Sequence, residues 1–164
     1  MSNFKKIKML ERRIFILYLS IITFALDRVS KLYILELALE KNITNISITS
    51  FLNFNLIFNK GIAFGLLSFD HKFYYHVVTF VIIIVSIVIL FLALKSTRIE
   101  RLGFSLIFGG SLGNIFDRLY YGSVVDFIDV NINNIHWFIF NFADVFITTG
   151  VILLILVEIY KKKV

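Results

Sequence analysis

The stretch Leu106–Asp144, LIFGGSLGNIFDRLYYGSVVDFIDVNINNIHWFIFNFAD, gathers Asn114, Asp117, Arg118, Asp126, Asp129, Asn141 and Asp144 within an otherwise oily chain. Such side chains are costly at hydrocarbon depth, and their default reading is functional. Two carboxylates sharing one proton can hydrolyse an amide. One draws a proton from water while the other protonates the carbonyl oxygen or the leaving amine. Asp126 with Asp144 is the favoured pair, and Asp117 with Asp144 is nearly as good on physical grounds because both fall on helices. The titration of either pair would belong to both groups together. Asn114 and Asp117 stand i,i+3, as do Asn141 and Asp144, so each amide can share a helix face with its carboxylate. Arg118 supplies a nearby positive charge able to lock a carboxylate through paired hydrogen bonds. Asp129 is read as a solvated surface acid, since Asn131, Asn133 and Asn134 follow it. The bland alternative for Asn114, Asp117 and Arg118 is that they only hold helices together.

Other chemistries find little support. Cysteine is absent, which removes thiol catalysis, thiolate metal sites and disulfides. His71, His76 and His136 are not at a metal-ligand spacing, and no nucleotide loop or G-x-S-x-G is present. Serines are plentiful, yet none is tied to a visible lysine or histidine. A carboxylate-bound divalent metal stays open as an alternative, though only weakly suggested.

The elements that must position these groups follow from composition. The 164 residues are 59% hydrophobic and 17% charged, with a mean hydropathy of +0.87, the profile of a membrane protein in one domain spanning 1–164. The net charge of +6 does not suggest nucleic acid, because eleven of the seventeen basic residues lie in three short segments. Lys5, Lys6, Lys8, Arg12 and Arg13 precede the first apolar run. Lys95, Arg98 and Arg101 fill the middle connection, and Lys161, Lys162 and Lys163 close the chain. All three segments can share one side of a membrane. The expected fold is an all-α membrane protein, a bundle of four transmembrane helices over about 14–35, 73–94, 102–121 and 137–157, with both termini cytoplasmic. Trp137 suits the outer interface at the start of the last span. Residues 40–69 are too broken to span, and short β-prone pieces there predict an extended segment lying on the outer membrane surface.

In this arrangement Asp27, Asp117, Asp126 and Asp144 reach about one membrane depth from four separate stretches. Asp27 and Lys31 are i,i+4 and predict an ion pair. Gly109 and Gly113, also i,i+4, predict close packing of the third helix on a neighbour. A small transporter or channel is the alternative, since intramembrane carboxylates also line ion paths. It predicts polar residues across the full depth, whereas here they gather at one end.

Five fragments in order resemble the lipoprotein signal peptidase (type II signal peptidase) family. They are D-x-x-[ST]-K at Asp27, Ser30 and Lys31; N-x-G-x-A-F-G at Asn59, Gly61, Ala63, Phe64 and Gly65; G-G-x-x-G-N-x-x-D-R at Gly109, Gly110, Gly113, Asn114, Asp117 and Arg118; V-V-D-F at Val124–Phe127; and F-N-x-A-D at Phe140, Asn141, Ala143 and Asp144. The resemblance implies a catalytic dyad at Asp126 and Asp144, with Asn59, Asn114, Asp117, Arg118 and Asn141 holding substrate or supporting the dyad. It makes Asp27 and Lys31 a structural pair, and residues 40–69 a small extracytoplasmic β-rich cradle that holds the peptide over the dyad. It further implies cofactor-free cleavage of diacylglyceryl-modified prolipoproteins just before the lipid-modified cysteine, at the bacterial cytoplasmic (inner) membrane. Membrane lipid is then a second partner, and a monomer is expected because every required group is on one chain. Arg28, Ser30 and Ile62 depart mildly from the pattern.

Overall fold

The computed structural model of the chain describes residues 2–61, 72–132 and 135–162. In order these form α1 (Ser2–Lys41), β1 (Asn45–Ser47), β2 (Leu52–Asn59), α2 (Lys72–Lys95), α3 (Arg98–Tyr120), β3 (Val124–Ile132), β4 (Ile135–Phe140) and α4 (Phe142–Lys161). Ile62, Ala63, Phe64, Gly65 and His71, together with Asn133, Asn134 and Lys163, lie outside the described residues.

The helices are organised around α3, which packs on α1, α2 and α4. Its glycines allow that. A Cβ on Gly109 would lie 2.8 Å from the Ser20 backbone, and one on Gly110 would lie 2.6 Å from the Ala143 carbonyl oxygen. One face of α3 thus closes on α1 and another on α4, as the Gly109/Gly113 spacing predicts. Among the described residues only α2 and α4 are apolar enough throughout to pass as membrane spans, with mean hydropathies of 3.4 and 2.3. In α1 and α3 charged residues interrupt the apolar run, and Arg28 and Lys31 of α1 meet Asp117 of α3. Of the four expected spans, all four are helices and two meet that criterion.

At 40 residues, α1 extends about 60 Å, well past the expected span at both ends. It stops where Asn42 adopts φ 53 and the Ile43 amide donates to the Leu37 carbonyl, a left-handed cap closing the last turn. The chain then reverses into an antiparallel sheet in the order β1-β2-β3-β4. The sheet rests on the end of α1, where Ile34 and Leu37 bury against Phe127 and Ile128, flanked by Phe54, Leu52 and Phe140.

The sheet also corrects two boundaries. Residues 40–59 supply only β1 and β2, and the second half comes from 124–140, which sequence reading divided between a connection and a helix. The last helix starts at Phe142 rather than Trp137, because Ile135–Phe140 pairs with β3. A run of β-branched and aromatic residues such as IHWFIF satisfies either reading until a partner strand is available.

Candidate active site

Asp144 occupies the first turn of α4. Asn141 is the N-cap, with its side chain accepting from the Asp144 amide at 3.0 Å while Asp144 Oδ2 accepts from the Asn141 amide at 3.3 Å. The N-x-x-D spacing is therefore a reciprocal capping box, a local device that orients the carboxylate. Asp126 arrives from β3, across the ladder from Ile57, and not from a connection as its sequence position suggests.

Two asparagine side chains link the two carboxylates, and a third holds Asp126 alone. Asn141 Nδ2 donates to Asp126 Oδ1 at 2.6 Å, and Asn59 Nδ2 donates to Asp126 Oδ2 at 2.8 Å. Asn114 Nδ2 donates to Asp144 Oδ1 at 2.9 Å, and its own Oδ1 accepts from Asn141 at 3.2 Å and from Lys31 Nζ at 3.0 Å. Each of the four carboxylate oxygens thus has an N–H donor. Even so, burial pushes Asp126 up from its ordinary 3.8 to about 7, with the neighbouring Asp144 charge as the second cause.

Beneath this pair lies a second, tighter cluster. Asp27, Lys31 and Asp117 are fully buried. Lys31 bridges Asp27 at 2.9 Å and Asp117 at 2.7 Å, and Arg28 bridges the same two carboxylates at 3.1 Å and 2.6 Å. Two cations against two anions leave the cluster formally neutral, the condition under which buried charge is tolerated. Two of these carboxylate oxygens also position backbone. Asp27 Oδ1 accepts from the Ala143 amide at 3.0 Å, and Asp117 Oδ2 accepts from the Val125 amide at 3.1 Å. The cluster therefore grips the residue preceding Asp144 and the residue preceding Asp126. A Cβ on Gly113 would sit 2.4 Å from Asp27 Oδ2, so this glycine is what admits the cluster between α1 and α3.

Asp126 and Asp144 are linked through Asn141 and Asn114, while Asp117 is engaged by Arg28 and Lys31. The Asp27–Lys31 pair forms as its spacing predicts. Arg118 does not lock a carboxylate among the described residues. It donates to the Gly61 carbonyl and lies 5.3 Å over the Tyr75 ring, with Tyr75 Oη donating to its backbone oxygen. Arg28 and Lys31 take the expected role instead. Sequence reading missed Arg28, although its i,i+3 relation to Lys31 put both cations on one face of α1. Asp129 is corrected as well. It is 1% exposed and therefore not a solvated acid, because β3 lies inside the sheet with β2 and β4 on either side.

Two clefts open beside the carboxylates. One of about 470 Å³ runs between α2, α3 and α4, from Asn59, Asn114, Arg118, Asp126 and Asp144 down to the apolar Ile147, Val151 and Ile152. The other, about 330 Å³, lies on the far side of Asp144 among Val130, Phe138, Phe140 and Val145. Among the described residues no group of three or more His, Asp or Glu side chains is arranged to hold a metal ion.

Residues 19–160 match the family described as Signal peptidase (SPase) II. The lipoprotein signal peptidase of Pelagibacter ubique is 49% identical over 144 residues, covering 88% of this chain and 87% of that protein. The lipoprotein signal peptidase of Francisella tularensis subsp. novicida is 42% identical over 123 residues, covering 73% and 76%. Two solved structures, each described as a bacterial membrane enzyme, superpose with TM-scores of 0.74 and 0.70 at 31% and 33% identity. They cover 90% and 87% of this chain, and 88% and 91% of their own chains are matched. Sequence and fold agree over nearly the whole length, and the chain belongs to the signal peptidase II family of aspartic hydrolases.

Proposed function

We propose that this chain, as one membrane-embedded domain, removes the signal peptide from diacylglyceryl-modified prolipoproteins. Asp126 and Asp144 are the catalytic pair, and the cut falls just before the lipid-modified cysteine. The observation that carries this reading is the joining of the two carboxylates through Asn141, at the head of two largely apolar clefts.

At working pH the pair holds one proton. Burial raises both carboxylates, and Asp144, at the positive end of α4, is the one that gives up its proton and serves as the base while Asp126 keeps its own. Asp144 draws a proton from water, which attacks the scissile carbonyl as Asp126 protonates the carbonyl oxygen. The tetrahedral intermediate then collapses with proton transfer to the departing cysteine amine. Asn59, Asn114 and Asn141 hold the carboxylates, and the Asp27–Arg28–Lys31–Asp117 cluster holds the backbone that presents them. Water is excluded by the apolar walls.

Four spans with both termini cytoplasmic suit this chemistry. Leu17 and Ile21 on α1, Val85 and Val88 on α2, Phe116 and Leu119 on α3, and Ile152 and Ile155 on α4 are all exposed. That much apolar surface is at home in lipid. The basic residues gather at the end of the bundle opposite the sheet, so the sheet and the carboxylates face outward. Substrate enters from the outer leaflet with its lipid left in the bilayer and its peptide over the sheet.

The test is cleavage of a synthetic diacylglyceryl-modified prolipoprotein in micelles containing EDTA, by the parent and by the Asp126→Asn and Asp144→Asn variants. Cleavage by the parent alone, with all three equally folded, is the expected result. Activity surviving in either variant would break the assignment, and an inactive parent would favour a carboxylate-lined transport path.

A further inference from the structure

A cleft of about 660 Å³ opens at the basic end of the bundle, between the start of α1 and the start of α3. It lies at the opposite end of both helices from the catalytic pair. Lys8, Arg12, Arg98 and Arg101 line it against a single acid, Glu11. Among the described residues none of these four cations has a carboxylate within 4 Å. Glu100, the next acid on α3, is taken up by Lys161 and by the Thr97 amide.

Arg101 is the informative residue. It is only 9% exposed, and its Nη2 donates to the Ser96 carbonyl at 2.9 Å. Its Nε is buried without a partner, and the Arg12 guanidinium repels it. A buried cation with an idle donor and a like-charged neighbour is a cost that an anion would relieve. The first turn of α3 begins at the same place, Thr97 being its N-cap, and adds the positive end of the helix dipole.

We infer that this cleft binds the phosphate of an anionic phospholipid headgroup, with Arg101 at its floor and Arg12 and Arg98 at its rim. The lipid source rests on the four-span reading, which sets this end of the bundle among cytoplasmic-leaflet headgroups. Phe15, which lines the cleft, and the exposed Ile14 beside it continue along α1 as an apolar surface for acyl chains. A headgroup there ties α1 to α3 at the end where no sheet joins them.

Native mass spectrometry of the full chain, released from micelles doped with equimolar phosphatidylglycerol and phosphatidylcholine, reads the site directly. The parent should retain phosphatidylglycerol selectively. An Arg12→Gln/Arg98→Gln variant should retain it about 30-fold more weakly, from the attraction lost with two basic side chains near an anionic headgroup. Arg101→Met should lose the lipid too, yet melt at a higher temperature than the parent when both are lipid-free. Equal retention of the two lipids, or unchanged retention by the double variant, would overturn the site. Thermal protection by inorganic phosphate equal to that by phosphatidylglycerol would overturn the lipid as its occupant. Prolipoprotein cleavage in neutral detergent should be the same in parent and double variant, which separates failure of this site from failure of the peptidase reading.

Discussion

Replacing Asp126 by Asn should do more than stop cleavage. It should invert the order of stability of parent and variant between acid and alkaline pH. In the parent the Asp126 carboxyl is pushed up to about 7 from an ordinary 3.8. A carboxyl whose folded value lies above its unfolded one holds its proton more tightly in the folded protein. Its stabilising contribution is complete below about pH 4 and is lost as pH rises through about 7. The gap, at ~1.4 kcal/mol per pH unit, is worth about 4 kcal/mol. The substituted side-chain amide cannot ionise, so the variant escapes that loss, but the new NH2 must face one of the donor amides of Asn59 and Asn141. An opposed donor pair costs about 1–3 kcal/mol at every pH. The variant should therefore be less stable than the parent by about 1–3 kcal/mol at pH 4 and more stable by a similar amount at pH 8.5. Thermal unfolding of both proteins in one detergent at the two pH values provides the comparison. Midpoints that move in parallel with pH, or a variant weaker at both, would refute the reasoning that Asp126 is a carboxyl kept protonated by burial.

Lys31→Met should destabilise the protein by about 3–5 kcal/mol, since it leaves the Asp27–Asp117 pair with only Arg28 to balance two buried carboxylates. Denaturant unfolding in micelles reads this, and a variant as stable as the parent would show that the cluster tolerates a net charge. Gly109→Ala should force α1 and α3 apart, because the added Cβ meets Ser20 backbone at 2.8 Å, whereas Gly122→Ala meets nothing within 4 Å and costs only about 1–2 kcal/mol for its φ of +68. Melting temperatures of the two variants, with cleavage rates alongside, should separate a packing clash from local backbone strain.

Much of this protein is legible in the chain alone. Uninterrupted apolar runs define α2 and α4, because a helix in hydrocarbon needs little more than length and hydropathy. The Asp27–Lys31 pair and the glycine face of α3 follow from helical spacing, and the five ordered motifs carry the family. Three things needed the tertiary structure. The second half of the sheet was hidden because Ile135–Phe140 acquires its strand identity from β3, and nothing local separates a buried strand from the start of an apolar helix. For the same reason Asp129 looked solvated among asparagines, though central pairing in the sheet buries it. Partner choice among the charges was also hidden. Asp117 goes to Arg28 and Lys31 and Arg118 to a carbonyl, because close packing of α1 on α3 at Gly109 and Gly113 decides which cation reaches which acid. Residue types and spacing determined what chemistry this chain could carry. Only the packing of distant segments, where burial makes an unpaired charge expensive, decided which carboxylates were left for one another.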